Sequence, residues 1–146
     1  MTDKDLQAKR ALQSFRQMNR RISEKAERIR ALREAATRST PSLEAERVSG
    51  TGDRSRVEAA MIRAIDLERQ LDEAIGRLNA ERFRIQGAID RMEDAREQRL
   101  LELRYIDGRS WVSVMTRMGI NESTSFRLHR SALLSFAELY FERDSK

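Results

Sequence analysis

Between Leu6 and about Ala36 the apolar residues return at helical spacing. Leu12, Phe15, Met18, Ile22, Ile29 and Leu32 advance by three, three, four, seven and three, a seam interrupted at Lys25. The other faces are polar, which predicts a long amphipathic helix whose seam needs a partner. A second seam runs through Val57, Ala60, Ala64, Leu67, Leu71, Ala74, Leu78, Ile85 and Met92, widened by Met61, Ile65, Ile75 and Ile89. Gly76 and Gly87 weaken this second helix by about 1 kcal/mol each without ending so long a pattern.

Between the two seams, residues 37–53 read TRSTPSLEAERVSGTGD and hold the only proline, Pro41, with Gly50, Gly52 and several hydroxyl residues. This is loop chemistry, with Leu43 and Val48 available as tethers and Asp53 as the cap of the second helix. Two seams joined by a loop predict an antiparallel helical hairpin, with intermolecular coiled-coil pairing as the competing arrangement. No stretch alternates with the period of a strand, so the expected class is all-α: a long coiled-coil-like hairpin over 1–93, then a small domain over 94–146. Asp94 with Glu97 resembles a capping box at that boundary. A helix continuing through to Ile106 is the alternative.

The last third has a different rhythm. Leu100, Leu101, Leu103 and Ile106 form one apolar face, which Asp107-Gly108 ends. Ser110 is placed to cap a short helix with Trp111, Val114, Met115 and Met118 inside. Gly119 is placed for a sharp turn, Ile120 plugs the core, and Asn121 caps a third helix. Leu128, Ala132, Leu133 and Phe136 point inward on it, which leaves Glu122, Ser123, Phe126, Arg127 and Arg130 facing outward near its start. Guanidinium, amide and hydroxyl groups on the first turns of a helix are what major-groove reading requires.

Composition agrees with an extended arm and a compact C-terminus. Of 146 residues 36% are charged and 5% aromatic, and six of the eight aromatics fall between Tyr105 and Phe141. The net charge is +5, concentrated at the start, where residues 1–36 carry ten basic against five acidic groups. A basic excess suits a polyanion partner and equally suits a solvated helix face. Cysteine is absent, which excludes disulfides and thiolate metal sites. No apolar leader or long apolar run is present, so a cytoplasmic protein without membrane contact is expected.

The runs RYIDGRSW, Gly119-Ile120-Asn121 and FRLHRSAL resemble region four of sigma-70-type factors, the promoter −35 reader. The whole layout is similar to an uncharacterised family encoded by phages and prophages, distantly related to late-gene transcriptional activators of the ArpU and RinA type. This resemblance implies a sequence-specific DNA-binding transcription regulator. By position, Glu122, Ser123, Phe126 and Arg127 match the base-facing part of the recognition helix, and Arg130 a backbone-contacting site. Glu122 departs from the basic residue frequent there, and Ser125 from the usual buried valine or isoleucine. No sigma region two is present, so the chain does not read as a complete sigma factor.

The partners implied are double-stranded DNA and, through the arm, RNA polymerase or a second copy in a homodimer. Two other classes compete: a DNA-packaging protein like a small terminase subunit, and a polymerase-binding protein without DNA affinity. An enzyme is not expected, because the carboxylates are scattered on solvated faces and Ser123 and Ser125 lack a histidine–acid partner pattern. His129, the single histidine, reads as a helix-surface or phosphate-contacting residue rather than a metal ligand. Trp111 reads as a core anchor. No cofactor is expected.

Overall fold

In the computed structural model, which describes residues 2–45 and 51–142, the chain is all-α. The elements are α1 (Asp3–Ala45), α2 (Thr51–Asp90), α3 (Ala95–Leu101) running into a π-helical turn (Glu102–Ile106), α4 (Trp111–Met118) and α5 (Glu122–Glu142). A reciprocal capping box opens α1. The Asp5 carboxylate accepts from the Thr2 amide at 2.9 Å and the Thr2 hydroxyl at 2.7 Å, while the Asp5 amide donates back to that hydroxyl at 3.3 Å.

The loop expected over 37–53 is helical at both its ends. Residues 37–45 continue α1 and Thr51 already belongs to α2, so the helix does not start from Asp53. Thr37 is compatible with a helix interior because its hydroxyl donates back to the Arg33 carbonyl at 2.8 Å. The Leu-Glu-Ala that closes α1 consists of good helix formers. The side-chain roles expected of Leu43, Val48 and Asp53 lie outside the described residues.

The chain divides into two compact units, Met1–Arg20 with Leu78–Lys146, and Arg21–Arg77. The boundary expected after residue 93 follows the break between α2 and α3, whereas the units cut across both long helices. In the first unit Leu12 and Phe15 of α1 and Ile85 and Ile89 of α2 are fully buried, as are Leu100, Leu101, Val114, Leu133 and Phe136. About fifty residues of short helices make a marginal core by themselves, and the ends of the two long helices enlarge it. Arg91 ties α2 to the end of α5 by donating to the Leu139 carbonyl at 2.8 Å, and Tyr140 donates to Glu81 at 2.8 Å.

The second unit has a narrower interior. Ile29, Ala36, Ala64 and Ala74 are buried, and Arg33 Nε donates to Glu68 at 2.6 Å across α1 and α2. Small residues on the buried seam permit close helix approach while burying little area. Ile65, expected to widen the seam, is instead 58% exposed, as is its neighbour Ile62 at 68%. A seam of alanines leaves no depth for those branched side chains.

Candidate nucleic-acid interface

The break at 91–94 is real, and its chemistry is local. Asp94 accepts from the amides of Arg96 at 2.8 Å and Glu97 at 3.2 Å. Gln98 donates to the Ile89 carbonyl at 2.8 Å, satisfying the end of α2. Glu97 turns toward α5 and accepts from the Ser131 hydroxyl. That bond and the packing of α3 on α5 hold the first and last helices of this region together.

Two glycines place the next pair of helices. After the π turn Gly108 takes φ +70, and between α4 and α5 Gly119 takes φ +65, a left-handed conformation that costs a side-chain-bearing residue about 1 kcal/mol or more. Ser110 accepts from the Ser113 amide at 3.2 Å, and Asn121 from the Thr124 amide at 2.8 Å, so both expected caps form. The result is a short helix, a three-residue turn and a long helix.

All five residues expected to face outward on α5 do so: Glu122, Ser123, Phe126, Arg127 and Arg130 are exposed. At 100° per residue they occupy an arc of about 140° on one side of the helix. Phe126 is 73% exposed, and among the described residues neither Arg127 nor Arg130 has an ion-pair partner. Ser125, in contrast, is buried. Its hydroxyl donates to the Glu122 carbonyl at 2.7 Å, so a serine there leaves no polar group unpaired.

His129 corrects the expectation of a surface or phosphate-contacting imidazole. Its Nε2 lies 2.7 Å from the Tyr105 hydroxyl, and Trp111 packs T-shaped against the ring with centroids 4.7 Å apart. In the neutral ring Nε2 accepts from the Tyr105 hydroxyl in one tautomer and donates to its oxygen in the other. Burial, and after it the positive charges of Lys9 and Arg104, pull its pKa down to about 4. A neutral imidazole offers no charge to a phosphate. Burial also pushes the Tyr105 hydroxyl above its ordinary range. Trp111 is half-buried rather than a core anchor, with the Arg104 guanidinium 4.7 Å from its ring centre.

Beside this face lies a cleft of about 500 Å³ that the sequence reading missed. Lys9, Gln13 and Arg16 of α1 line one wall. Arg104, Tyr105, Trp111, Met115, Glu122, Ser125, Phe126 and His129 line the rest. Nothing local links α1 to a turn some ninety residues away, yet Arg16 reaches the Gly108 carbonyl at 3.4 Å. The available signal was the basic excess of the first helix, together with positions 9, 13 and 16, which share one helix face.

Residues 37–137 match the family described as protein of unknown function, DUF1492. The chain belongs to this family. The DUF1492 match takes in α3, α4 and all five exposed residues of α5, whereas Lys9, Gln13 and Arg16 precede it. No curated protein and no solved structure is significantly similar to the chain. Among the described residues no helix is long and apolar enough to cross a membrane.

Proposed function

We propose that this DUF1492 protein is a sequence-specific DNA-binding transcription regulator, not an enzyme, that reads double-stranded DNA with the first turns of α5. The observation that carries this reading is the exposed arc of Glu122, Ser123, Phe126, Arg127 and Arg130 on a helix set by a three-residue turn. Free guanidinium groups on such an arc suit guanine edges and phosphates, Ser123 supplies a hydroxyl, and Phe126 suits a thymine methyl. Glu122 suits a cytosine amino group. The sigma-region-four resemblance supports the same reading and extends it to a phage or prophage regulator acting in the bacterial cytoplasm. In this reading the remaining helical arm serves dimerisation or contact with RNA polymerase.

Selection of bound duplexes from a random pool tests this directly. Enrichment of a motif is expected. Arg127→Ala is expected to relax preference at one base, and Arg130→Ala to weaken all sequences and lower the salt slope by about one. Wild-type-like binding by both variants refutes the assignment of α5.

A polymerase-binding role without DNA affinity is the second reading. It is favoured by the exposed apolar side chains Phe126 and Val112, at 73% and 69%, beside an acidic Glu122. Its mark is polymerase capture with no salt-dependent affinity for any duplex.

A further inference from the structure

The cleft beside α5 holds a concentration of positive charge that the reading face does not use. Lys9, Arg16 and Arg104 converge on it from α1 and the π turn. Among the described residues none of the three has a carboxylate within ion-pair distance. Their hydrogen bonds go to neutral carbonyls: Arg16 to Gly108 at 3.4 Å and Arg104 to Arg109 at 2.9 Å. The Nε atoms of both arginines are buried without a hydrogen-bond partner.

Such an arrangement is costly without a counter-charge. A desolvated guanidinium next to another loses hydration and gains repulsion, and burial followed by the charge of Arg16 lowers the pKa of Arg104 accordingly. One anion among the three cations removes both penalties. Guanidinium forks match phosphate oxygens, with Lys9 adding a point charge. Trp111 and Phe126 also line the cleft, with the Arg104 guanidinium over the Trp111 ring at 4.7 Å from its centre. A base stacks on an exposed ring such as Phe126, and the volume is that of a small-ligand site.

We infer that this cleft binds a nucleotide phosphate, its oxygens held by Lys9, Arg16 and Arg104 beside Trp111 and Phe126. The phosphate comes either from a free nucleotide, whose base then lies against the aromatic side chains, or from the backbone of a DNA duplex lying along α5, whose paired bases stay stacked. Glu122, on the rim, opposes the negative charge and limits affinity. The site stands independently of base reading by Arg127 and Arg130.

Trp111 is the only tryptophan of the chain, so its fluorescence reports occupancy directly. The full chain is titrated at constant ionic strength with AMP, with ADP and with a short duplex, using sodium chloride as the control. A saturable change in Trp111 emission is expected with at least one phosphate probe and not with chloride. Lys9→Gln, a half-buried position, is expected to weaken it about tenfold, the effect of one charge-assisted contact. Glu122→Gln is expected to tighten it, which no merely structural loss reproduces. Saturation by AMP or ADP identifies a free nucleotide, and saturation by duplex alone identifies the DNA backbone. Either supports the site. No saturation with any probe, or equal affinity in Lys9→Gln, overturns it. Duplex binding that Arg127→Ala alters and Lys9→Gln does not would leave the regulator reading standing and the cleft refuted.

Discussion

His129 offers the sharpest test of how the first unit is assembled, because its environment comes from three separate segments. Its Nε2 faces Tyr105 of the π turn at 2.7 Å, its ring meets Trp111 of α4, and Lys9 of α1 lines the same cleft. Burial first, then Lys9 and Arg104, holds the folded-state pKa near 4, against about 6.5 in an unfolded chain. The unfolded chain therefore takes up the proton first on acidification. Stability contributed by the neutral imidazole is complete above pH ~6.5, declines as pH falls, and stops declining below pH ~4. For a fully enclosed ring the loss is roughly 3 kcal/mol. Partial access of water to His129 reduces it to about 1–2 kcal/mol, most of it between pH ~6.5 and ~4.

Carboxylates titrate in part of that window, so the quantity to measure is a difference. Urea unfolding of the wild type and His129→Gln at pH 7 and pH 5 is expected to show about 1 kcal/mol more acid loss in the wild type. The pKa is also directly readable, since the chain has a single histidine and hence one imidazole signal in a carbon–proton correlation spectrum. A titration midpoint near 6.5, or equal acid loss in both proteins, refutes the half-buried imidazole and with it the seating of α1 beside α5.

Other perturbations probe the remaining links. Phe15→Ala removes a fully buried ring from α1 and is expected to cost about 3–5 kcal/mol by chemical denaturation, melting α3–α5 together with the start of α1. A loss under 1 kcal/mol would mean that α1 is not part of that core. Gly119→Ala has open space for its methyl group but a φ of +65, so a loss of about 1–2 kcal/mol in thermal or urea unfolding is expected from backbone strain alone. Arg33→Ala breaks a solvent-exposed pair with Glu68 and is expected to change stability by less than about 1 kcal/mol. A larger loss would mark the pair as more than a surface contact.

The local features of the last third were readable because each depends on a few adjacent residues. Ser110 and Asn121 cap the helices as their types dictate, Gly108 and Gly119 take the positive φ that only glycine accepts cheaply, and the exposed arc of α5 follows from the apolar spacing. Misreadings arose where a residue's role depends on distant neighbours. Glu97 looked like the second half of a capping box and instead pairs with Ser131, thirty-four positions away. His129 looked like a helix-surface or phosphate-contacting residue and is a half-buried ring hydrogen-bonded to Tyr105. Residues 37–45 looked like a loop from composition, yet they continue α1.

Sequence alone determined the all-α class, the two long amphipathic seams, the turns at Gly108 and Gly119, and the outward direction of Glu122, Ser123, Phe126, Arg127 and Arg130. These follow from backbone sterics and from apolar periodicity, which act over a few residues. Tertiary structure alone decided that the start of α1 and the end of α2 join the C-terminal core. It also decided that His129 is half-buried against Tyr105 and Trp111 and that Lys9, Arg16 and Arg104 share one cleft. Burial and electrostatic energy depend on distance in space, and no periodicity encodes which segments, some ninety residues apart, come to lie against each other.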